Sequence, residues 1–373
     1  MSQSLVFARA SLSVVVLVLL AGVASPAAAQ APRPLRLAIA GLVHGHVQGF
    51  AQRIRGRTDV QLVGVFDRDP LLVSRFLEQN NLPRNVAFGS LDEMFDQAKP
   101  EAVAAFTSTA DHPLVVTAAA RRHVDVMMEK PLAVSAEAAR HIAADATAGA
   151  IHVIVNYETT WYPSLGAAQA LVRSGAMGEV RKMVAMDGHE GPKEINVGPE
   201  FLAWLTDPDQ NGGGALFDFG CYGVNIMTWL MGDARPLSVR ALTQQIKPAI
   251  YPRVDDEATI VLEYPKAQGI VQASWNWPFG RKDFEVYGAG GYAIATGAAG
   301  LRVRLPGGQE TTRQPDPLPS ADADPVAYLL AVVRGTERPS GPSSLENNVI
   351  VTEVLEAARE SAKTGQTVRL DKR

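Results

Sequence analysis

Polar residues stand at three breaks between apolar segments in the stretch FTSTADHPLVVTAAARRHVDVMMEKPL. Thr107 ends one predicted strand, His112 opens the next predicted helix, and Glu129-Lys130-Pro131 ends the following strand. If these strands are parallel, all three places share the carboxyl edge of the sheet, where α/β proteins bind ligands. A partly desolvated lysine there can hydrogen-bond a hydroxyl or carbonyl group and assist proton transfer. The alternative is a purely structural Glu-Lys-Pro turn.

A second candidate is LRLAIAGLVHGHVQGF, an apolar strand that runs into a glycine. Dinucleotide-binding loops carry G-x-G-x-x-G for a tight turn, close approach to the pyrophosphate and close helix packing. Those positions hold Gly41, Val43 and His46, so only the first matches. The next strand, VQLVGVFD, ends at Asp67, at the distance where an acid reaches the adenosine ribose. This acid favours NAD, its neighbour Arg68 leaves NADP open, and a Rossmann sheet without a dinucleotide is the alternative.

The loop also contains His44 and His46, an H-x-H pair that could bind a metal ion. No Cys, Asp or Glu lies beside the pair in the sequence to complete a coordination shell. An imidazole facing a phosphate at a helix N-terminus is the simpler interpretation. We therefore expect no metal.

The elements around these residues follow from the apolar pattern. The predicted strands are LRLAIAG, VQLVGVFD, EAVAAFTS, VDVMMEK and IHVIVNY, separated by helical segments such as PLLVSRFLEQN, LDEMFDQA, HPLVVTAAARR and SAEAARHIAADATAG. Apolar strands alternating with helices are typical of a parallel sheet covered on both faces. The sequence therefore predicts the α/β class, with a Rossmann-type, doubly wound domain over residues 33–156.

Beyond residue 157 the pattern changes to strands that follow one another without helices between them. These are EVRKMVAMDG, EATIVLEY, GIVQASWNW, KDFEVYG, YAIATG and LRVRL. Successive strands favour an antiparallel sheet. We predict a C-terminal α+β domain over 157–373, used for substrate binding and oligomerisation, with helices at 163–174, about 215–231, 325–334 and 344–364.

Composition and charge indicate which class of partner the protein can bind. The chain has 373 residues, 47% of them hydrophobic, a formal charge of −4 and a single cysteine, Cys221. These numbers suit two packed domains without an intramolecular disulfide. No Lys/Arg block stands out, so nothing favours nucleic acid, and we expect a small-molecule partner.

The N-terminus has the pattern of an export signal. Arg9 precedes the apolar run LSVVVLVLLAGVA, and Ala27-Ala28-Ala29 offers a small-residue cleavage site. We predict a Sec-type signal peptide over residues 1–29, a periplasmic or secreted protein, and no membrane contact after cleavage. A membrane anchor is the alternative.

With these motifs in place, the chain resembles the Gfo/Idh/MocA family, which includes glucose-fructose oxidoreductase and inositol dehydrogenase. The resemblance rests on Thr107, His112 and Glu129-Lys130-Pro131, on NGGGALFDFGCYGVNIMTWLMG and on the C-terminal VLEAARESAKTGQTVRL. In the family's second signature an Asp is followed four residues later by His or Tyr, here Asp218 and Tyr222. Positions i and i+4 share a helix face, with Asn225 a turn further on. A buried hydrogen-bonded Asp and Tyr is the alternative.

The resemblance implies NAD, or possibly NADP, as cofactor and a sugar or polyol as substrate. Trp161 and Tyr162 follow Asn156 where many members have Arg, and they could either stack on a sugar or belong to the core. The expected catalytic residues are Lys130, Tyr222 and Asp218. The expected cofactor contacts are Gly41, Val43, His46, Asp67, Arg68, Thr107, His112 and Glu129. The expected substrate contacts are Asn156, Trp161, Tyr162 and Asn225.

We therefore expect an exported NAD(P)-dependent oxidoreductase that acts on CH–OH groups by hydride transfer and forms a homo-oligomer. Lys130 and Tyr222 would handle the hydroxyl proton, and Asp218 would orient the substrate. Two alternatives stay open, because a fold does not fix a function. One is a redox-neutral glycoside hydrolase or lyase with tightly bound NAD, and the other is a non-catalytic carbohydrate-binding protein.

Overall fold

The N-terminal part of the chain alternates strands with helices. A computed structural model describes Met1 and residues 33–370, so the predicted signal peptide lies, apart from Met1, outside the described residues. The strands are β1 (Leu35–Ala40), β2 (Val60–Phe66), β3 (Ala102–Ala105), β4 (Asp125–Glu129) and β5 (Val153–Asn156). The helices are α1 (Val47–Ile54), α2 (Pro70–Gln79), α3 (Leu91–Ala98), α4 (His112–Ala120) and α5 (Ala136–Gly149). All of the predicted strands and helices of this part are present.

These five strands form a parallel sheet in the order β2-β1-β3-β4-β5. All four side chains of β3 are buried, as expected for a strand covered on both faces. The strand order reverses between β1 and β3, which opens a crevice at their carboxyl ends. The doubly wound α/β prediction is confirmed, and this crevice adjoins the ends of the strands that carry Thr107 and Lys130.

The C-terminal part is built on a nine-stranded sheet. Its strands are β6 (Val180–Gly188), β7 (Ser238–Gln244), β8 (Glu257–Glu263), β9 (Gln268–Ser274), β10 (Arg281–Gly288), β11 (Tyr292–Thr296), β12 (Gly300–Arg304), β13 (Thr311–Arg313) and β14 (Val368–Arg369). The order is β13-β12-β11-β10-β6-β9-β8-β7-β14. Neighbours are antiparallel except β6 and β9, which run parallel. The prediction of a largely antiparallel sheet is confirmed.

Seven helices accompany the described part of this sheet. They are α6 (Pro163–Arg173), α7 (Pro199–Leu205), α8 (Pro208–Asn211), α9 (Ala215–Asp218), α10 (Gly220–Leu230), α11 (Pro325–Val333) and α12 (Leu345–Thr364). The Ser344 side chain caps α12 by accepting the N–H of Asn347, and Gly365 ends it with φ of 66°. The single helix predicted at about 215–231 is corrected, because the chain breaks at Phe219 between α9 and α10.

The two sheets share packing partners. Helix α12 packs against both α5 and β7. Helix α11 returns from the C-terminal part to the core of the parallel sheet, where Leu329 and Val332 join Leu37 and Ile39 in one apolar cluster. The domain boundary at residue 157 stays a prediction. Among the described residues, no helix is both long enough and apolar enough to cross a membrane.

Candidate active site

A buried ion pair links the ends of two distant elements. Strand β4 ends at Glu129, and the next residue, Lys130, points its Nζ at Asp218 in α9. Nζ donates to Asp218 Oδ1 at 2.5 Å and to the Asp218 carbonyl oxygen at 3.0 Å. The other carboxylate oxygen of Asp218 accepts the indole N–H of Trp275 at 2.9 Å. Lys130 and Asp218, predicted as catalytic residues, thus lie in direct contact.

The glycines before α9 fix the position of Asp218. A Cβ added to Gly214 would lie 1.8 Å from the carbonyl oxygen of Asp255, so only glycine fits this approach. The Asp255 carboxylate accepts the backbone N–H groups of Gly214 at 2.9 Å and Leu216 at 2.7 Å. These bonds hold the start of α9 against the strand region that precedes β8. The glycine-rich signature is therefore a packing device that places Asp218 at the site.

Tyr222 lies beside the ion pair. Its ring centroid is 5.0 Å from Lys130 Nζ and 4.7 Å from Lys282 Nζ, and its edge meets the ring of Tyr157. The Tyr222 side chain is only 2% exposed. The structure therefore brings the three predicted catalytic residues together and adds Lys282, on β10, which the sequence did not suggest.

The surroundings decide which of these groups carries a proton. Burial acts against the Lys130 ammonium, but the Asp218 carboxylate outweighs it and raises the pKa of Lys130 above its ordinary value. The same contact, again against burial, lowers the pKa of Asp218. Burial raises the pKa of Tyr222 well above its ordinary range. At neutral pH the site therefore offers two proton donors, Lys130 and Tyr222, and one carboxylate.

The Glu129 carboxylate has polar neighbours from the loop after β1 and from the end of β5. Its carboxylate lies 3.1 Å from His46 Nδ1 and 4.0 Å from His44 Nε2, and it accepts the Asn156 amide at 2.9 Å. Burial raises the pKa of Glu129, but these partners outweigh it and bring that pKa to about 2. The expectation that the His46 imidazole faces a phosphate stays a prediction. In this structure its Nδ1 contacts Glu129.

The same three residues test the metal interpretation. The sequence argument that no carboxylate accompanies the histidine pair is wrong, because β4 delivers Glu129 to it, and the ligand atoms lie within 4.8 Å of one another. However, His44 Nδ1 accepts the backbone N–H of His46 at 3.2 Å, which assigns the ring proton to Nε2. A protonated Nε2, which lies 4.0 Å from the Glu129 carboxylate, cannot ligate a metal. The contacts therefore fit a hydrogen-bonded carboxylate.

A cavity of about 370 Å³ opens at the switch point of the parallel sheet. Five predicted cofactor contacts line it, namely Gly41, Val43, Asp67, Arg68 and Thr107. Gly41 has φ of 84°, and a Cβ there would lie 2.5 Å from Thr107 Cγ2, so this turn needs glycine. Apolar walls from Leu72, Leu91 and Val115 complete a surface suited to an adenosine group. The residues present fit the adenosine half of a dinucleotide.

Several backbone amides of the loop between β1 and α1 already donate hydrogen bonds within the protein. Asp67 accepts the N–H groups of Leu42 at 2.6 Å and Asp69 at 2.8 Å. The His44 amide bonds the carbonyl of Phe106 at 3.0 Å, and the His46 amide bonds His44. Fewer amides are thus free to meet a pyrophosphate than in a loop with all three glycines. A carboxylate has about four lone-pair sites, so Asp67 keeps capacity for ribose hydroxyls.

Arg68 is held at the cavity mouth. Its guanidinium pairs with Asp111 at 3.1 Å.

Helix α7, from the C-terminal part of the chain, covers the loop between β1 and α1. The indole of Trp204 donates to the carbonyl of Val43 at 3.3 Å, and the ring of Phe201 packs on His44. No spacing in the sequence connects α7 to this loop, which is why sequence reasoning missed it.

Two predicted contacts are buried and bonded within the protein. His112 is 1% exposed, and its Nδ1 lies 3.0 Å from the carbonyl oxygen of Leu132, which supports the chain after β4. Its Nε2 has no hydrogen-bond partner among the described residues, and the cofactor contact of His112 stays a prediction. Asn225 is fully buried and donates to the carbonyl oxygen of Pro342 at 2.8 Å and to Asn348 at 3.2 Å. The predicted substrate contact at Asn225 is therefore corrected: this residue joins α10 to the start of α12.

Two of the remaining predicted substrate residues, Asn156 and Trp161, line a second cavity of about 340 Å³ together with His46, Glu129 and Glu158, among others. The Trp161 indole donates to Asn156 at 3.0 Å. The Tyr162 hydroxyl donates to Glu158 at 2.6 Å, and Glu158 also pairs with Lys282. An aromatic wall beside carboxylates and an amide suits a polyhydroxylated ligand.

Two family models match the chain. Residues 35–157 match the oxidoreductase family with an NAD-binding Rossmann fold, and residues 165–294 match the GFO/IDH/MocA C-terminal domain. Among curated proteins, the chain is 27% identical to trans-1,2-dihydrobenzene-1,2-diol dehydrogenase of Oryctolagus cuniculus over 61% of its length and 64% of the relative. The enzyme of that name from Xenopus tropicalis is 28% identical over 58% and 61%. The chain thus spans about three fifths of these relatives.

Solved structures share the fold. The aldose-aldose oxidoreductase from Caulobacter crescentus, complexed with glycerol, aligns with a TM-score of 0.76 at 24% identity, covering 91% of this chain and all of that one. The inositol dehydrogenase homolog from Azotobacter vinelandii, complexed with NAD+, gives 0.79 at 20% identity, covering 90% and 97%. Because both family models match in their expected order and together span more than half of the sequence, the chain belongs to the Gfo/Idh/MocA family of NAD-binding oxidoreductases.

Proposed function

We propose that the protein is an exported NAD-dependent oxidoreductase that acts on a CH–OH group of a sugar or polyol. The observation that carries this is the contact of Lys130 with Asp218 and Tyr222 at the carboxyl edge of the parallel sheet, beside a cavity that suits adenosine. The named activity of the curated relatives, dehydrogenation of a diol, supports the reaction class.

The residues divide the proposed reaction between them. The residues around the cavity of about 370 Å³ would hold NAD, whose nicotinamide would supply the hydride chemistry. Lys130 remains an ammonium and donates to the substrate oxygen, which stabilises negative charge on that atom as a carbonyl is reduced. Tyr222 is a neutral phenol and gives the proton that turns this oxygen into a hydroxyl. In the oxidative direction the same phenol must first lose its proton, so rising pH favours oxidation.

Asp218 acts through Lys130. Because its carboxylate accepts both the ammonium and the Trp275 indole, it fixes the direction of the lysine side chain. The substrate is proposed to enter by the second cavity, where Trp161 offers an aromatic face and Asn156 and Glu158 offer polar groups. NAD is proposed over NADP, because the 2′-phosphate of NADP would meet the Asp67 carboxylate.

Export is supported by the sequence pattern of residues 1–29. N-terminal sequencing of protein recovered outside the cytoplasm of its native host tests this part, and the expected new N-terminus follows Ala29. An uncleaved N-terminus on recovered protein contradicts it.

The activity itself is tested by mixing purified protein with NAD and, separately, D-glucose, myo-inositol and glycerol. The proposal expects NADH to form with at least one of them, and NADP to react more slowly. A protein that binds NAD in a fluorescence titration yet reduces it with none of these compounds contradicts the proposed substrate class. A protein that binds no NAD contradicts the proposed function as a whole.

A further inference from the structure

A third cavity, of about 220 Å³, is lined by residues of α6, α10 and α11. Three aromatic side chains belong to its walls: Trp161 from the turn before α6, Trp229 from α10 and Tyr328 from α11. The rings of Trp161 and Tyr328 are in contact, with centroids 5.6 Å apart. Trp229 packs against Gly341, where an added Cβ would lie 2.9 Å from the indole Nε1. Aromatic rings from three elements thus enclose a space distinct from the adenosine cavity.

Polar side chains at this third cavity lack partners within the protein. Thr159 lines the cavity and is 2% exposed, yet its Oγ1 makes no hydrogen bond to any described residue. Gln169, Arg173 and Asp322 also line the cavity, and within residues 33–370 none of their side chains has a hydrogen bond or an ion pair. A buried hydroxyl without a partner is uncommon in folded proteins. These groups are therefore available to a ligand.

The chemistry of these groups fits a single hydroxyl-rich ring. The guanidinium donates hydrogen bonds, the carboxylate accepts them, and the amide and hydroxyl groups do both. One positive and one negative side chain leave no excess charge that would favour an anion or a cation. The aromatic rings offer apolar faces for the C–H face of a sugar. Pockets for drug-sized ligands measure about 300–1,000 Å³, so a cavity of about 220 Å³ suits one ring rather than two.

We propose that the third cavity is a second monosaccharide site, which binds a hexose that does not react. The hexose hydroxyls accept from Arg173 and donate to Asp322 and Thr159, and its C–H face packs against Trp229. This site goes beyond the proposed oxidoreductase function, because binding here needs neither NAD nor turnover.

Trp161 connects the third cavity to the proposed substrate site. It lines the second cavity as well, and its indole donates to Asn156 there at 3.0 Å. A hexose in the third cavity therefore contacts a residue that the substrate also contacts. Two other tryptophans distinguish the sites: Trp229 lines the third cavity but not the second, and Trp275 donates to Asp218 in the buried ion pair.

The test is 19F NMR of the purified full chain labelled with 5-fluorotryptophan, with Trp229→Phe and Trp275→Phe to assign the two resonances. D-Glucose, D-galactose and D-mannose are titrated separately without NAD. We expect at least one hexose to shift the Trp229 resonance saturably. Arg173→Met and Asp322→Ala should each raise the dissociation constant obtained from this shift by about 10-fold or more. Tyr222→Phe should change it by less than about two-fold.

Arg121→Met is the matched control, because Arg121 is an exposed arginine after α4 that lines neither cavity. Thermal unfolding establishes that each variant is folded, and if one of the two cavity variants does not fold, the other decides. A Trp229 resonance that none of the hexoses shifts overturns the proposal, as does one that responds only to L-serine, a zwitterion. A shift that survives unchanged in the folded cavity variants, or is lost in Tyr222→Phe, also overturns it. The oxidoreductase function is judged separately, by NADH formation.

Discussion

The ammonium of Lys130 touches the carboxylate of Asp218, 88 residues further along the chain, at 2.5 Å, and both side chains are almost fully buried. A buried pair of this kind loses the hydration of two ions, which offsets much of its Coulombic attraction, but removal of one partner leaves an uncompensated charge. The pair also keeps a proton donor in a fixed place beside Tyr222. It joins the parallel sheet to the helix that follows the three glycines.

The pair makes stability depend on pH in a defined direction. Lys130→Met should destabilise the fold by about 3–5 kcal/mol at neutral pH, because Asp218 is left buried and charged. In the wild type, the lowered pKa of Asp218 contributes stability that is present above the ordinary value of 3.8 and lost as pH falls below it. The penalty of Lys130→Met should therefore shrink in acid. Urea unfolding at several pH values measures this, and a penalty independent of pH contradicts it.

Asp67 provides a test of the cofactor. Asp67→Asn keeps an amide oxygen to accept the Leu42 N–H but removes the charge that a 2′-phosphate would meet. The ratio of NADP to NAD dissociation constants should fall, mainly through tighter NADP binding. Asp69→Asn tests whether the loss of any carboxylate at this cavity has the same effect, because Asp69 also lines the cavity but caps α2 through the N–H of Leu71. Tighter binding of NADP than of NAD to the unmodified protein contradicts the assignment.

Gly214 tests how Asp218 is positioned. Gly214→Ala places a methyl group against the Asp255 carbonyl, so α9 must move, and we expect a loss of at least about 1–3 kcal/mol together with a fall in kcat. Gly280→Ala, where an added Cβ meets nothing within 4 Å, should change neither. Thermal unfolding and turnover measurements on both variants test whether Gly214 is needed to position Asp218. Equal behaviour of the two would show that the glycines serve another purpose.

Substitution of Asn225 tests whether this residue of α10 has a structural role or contacts the substrate. Asn225→Ala removes the donors to Pro342 and Asn348 inside the protein and should cost about 1–3 kcal/mol of unfolding free energy. Because the side chain faces α12, the KM for any substrate and the affinity for NAD should stay unchanged. A raised KM in a variant that is fully folded at the assay temperature would return Asn225 to the substrate site.

The sequence predicted the parts of the site that local patterns encode. Strand ends, helix starts and the spacing of Asp218 and Tyr222 follow from apolar periodicity and from the family resemblance, and the structure brings these residues to Lys130. The sequence could not predict contacts that arise from the register between strands far apart in the chain. Lys282 and Asp187 are paired only because β10 lies beside β6, a neighbour relation that no local pattern contains.

The same limit explains the errors. Asn225 shares the helix of Tyr222, but helical periodicity does not say which neighbour covers each face, and α12 covers this one. Glu129 stands far from His44 and His46 in the sequence, and only the parallel sheet, which brings the carboxyl ends of β1 and β4 to one edge, places it beside them.

The central claim is that Lys130 and Tyr222 handle the substrate proton beside bound NAD. It is tested most directly by the rate of NADH formation from NAD and the best polyol substrate for the wild type, Lys130→Met and Tyr222→Phe, with NAD affinity measured for each. The account predicts that each substitution lowers kcat by about 10²-fold or more while NAD binding is retained. A folded variant of either residue that binds NAD and turns over at nearly the wild-type rate would contradict it.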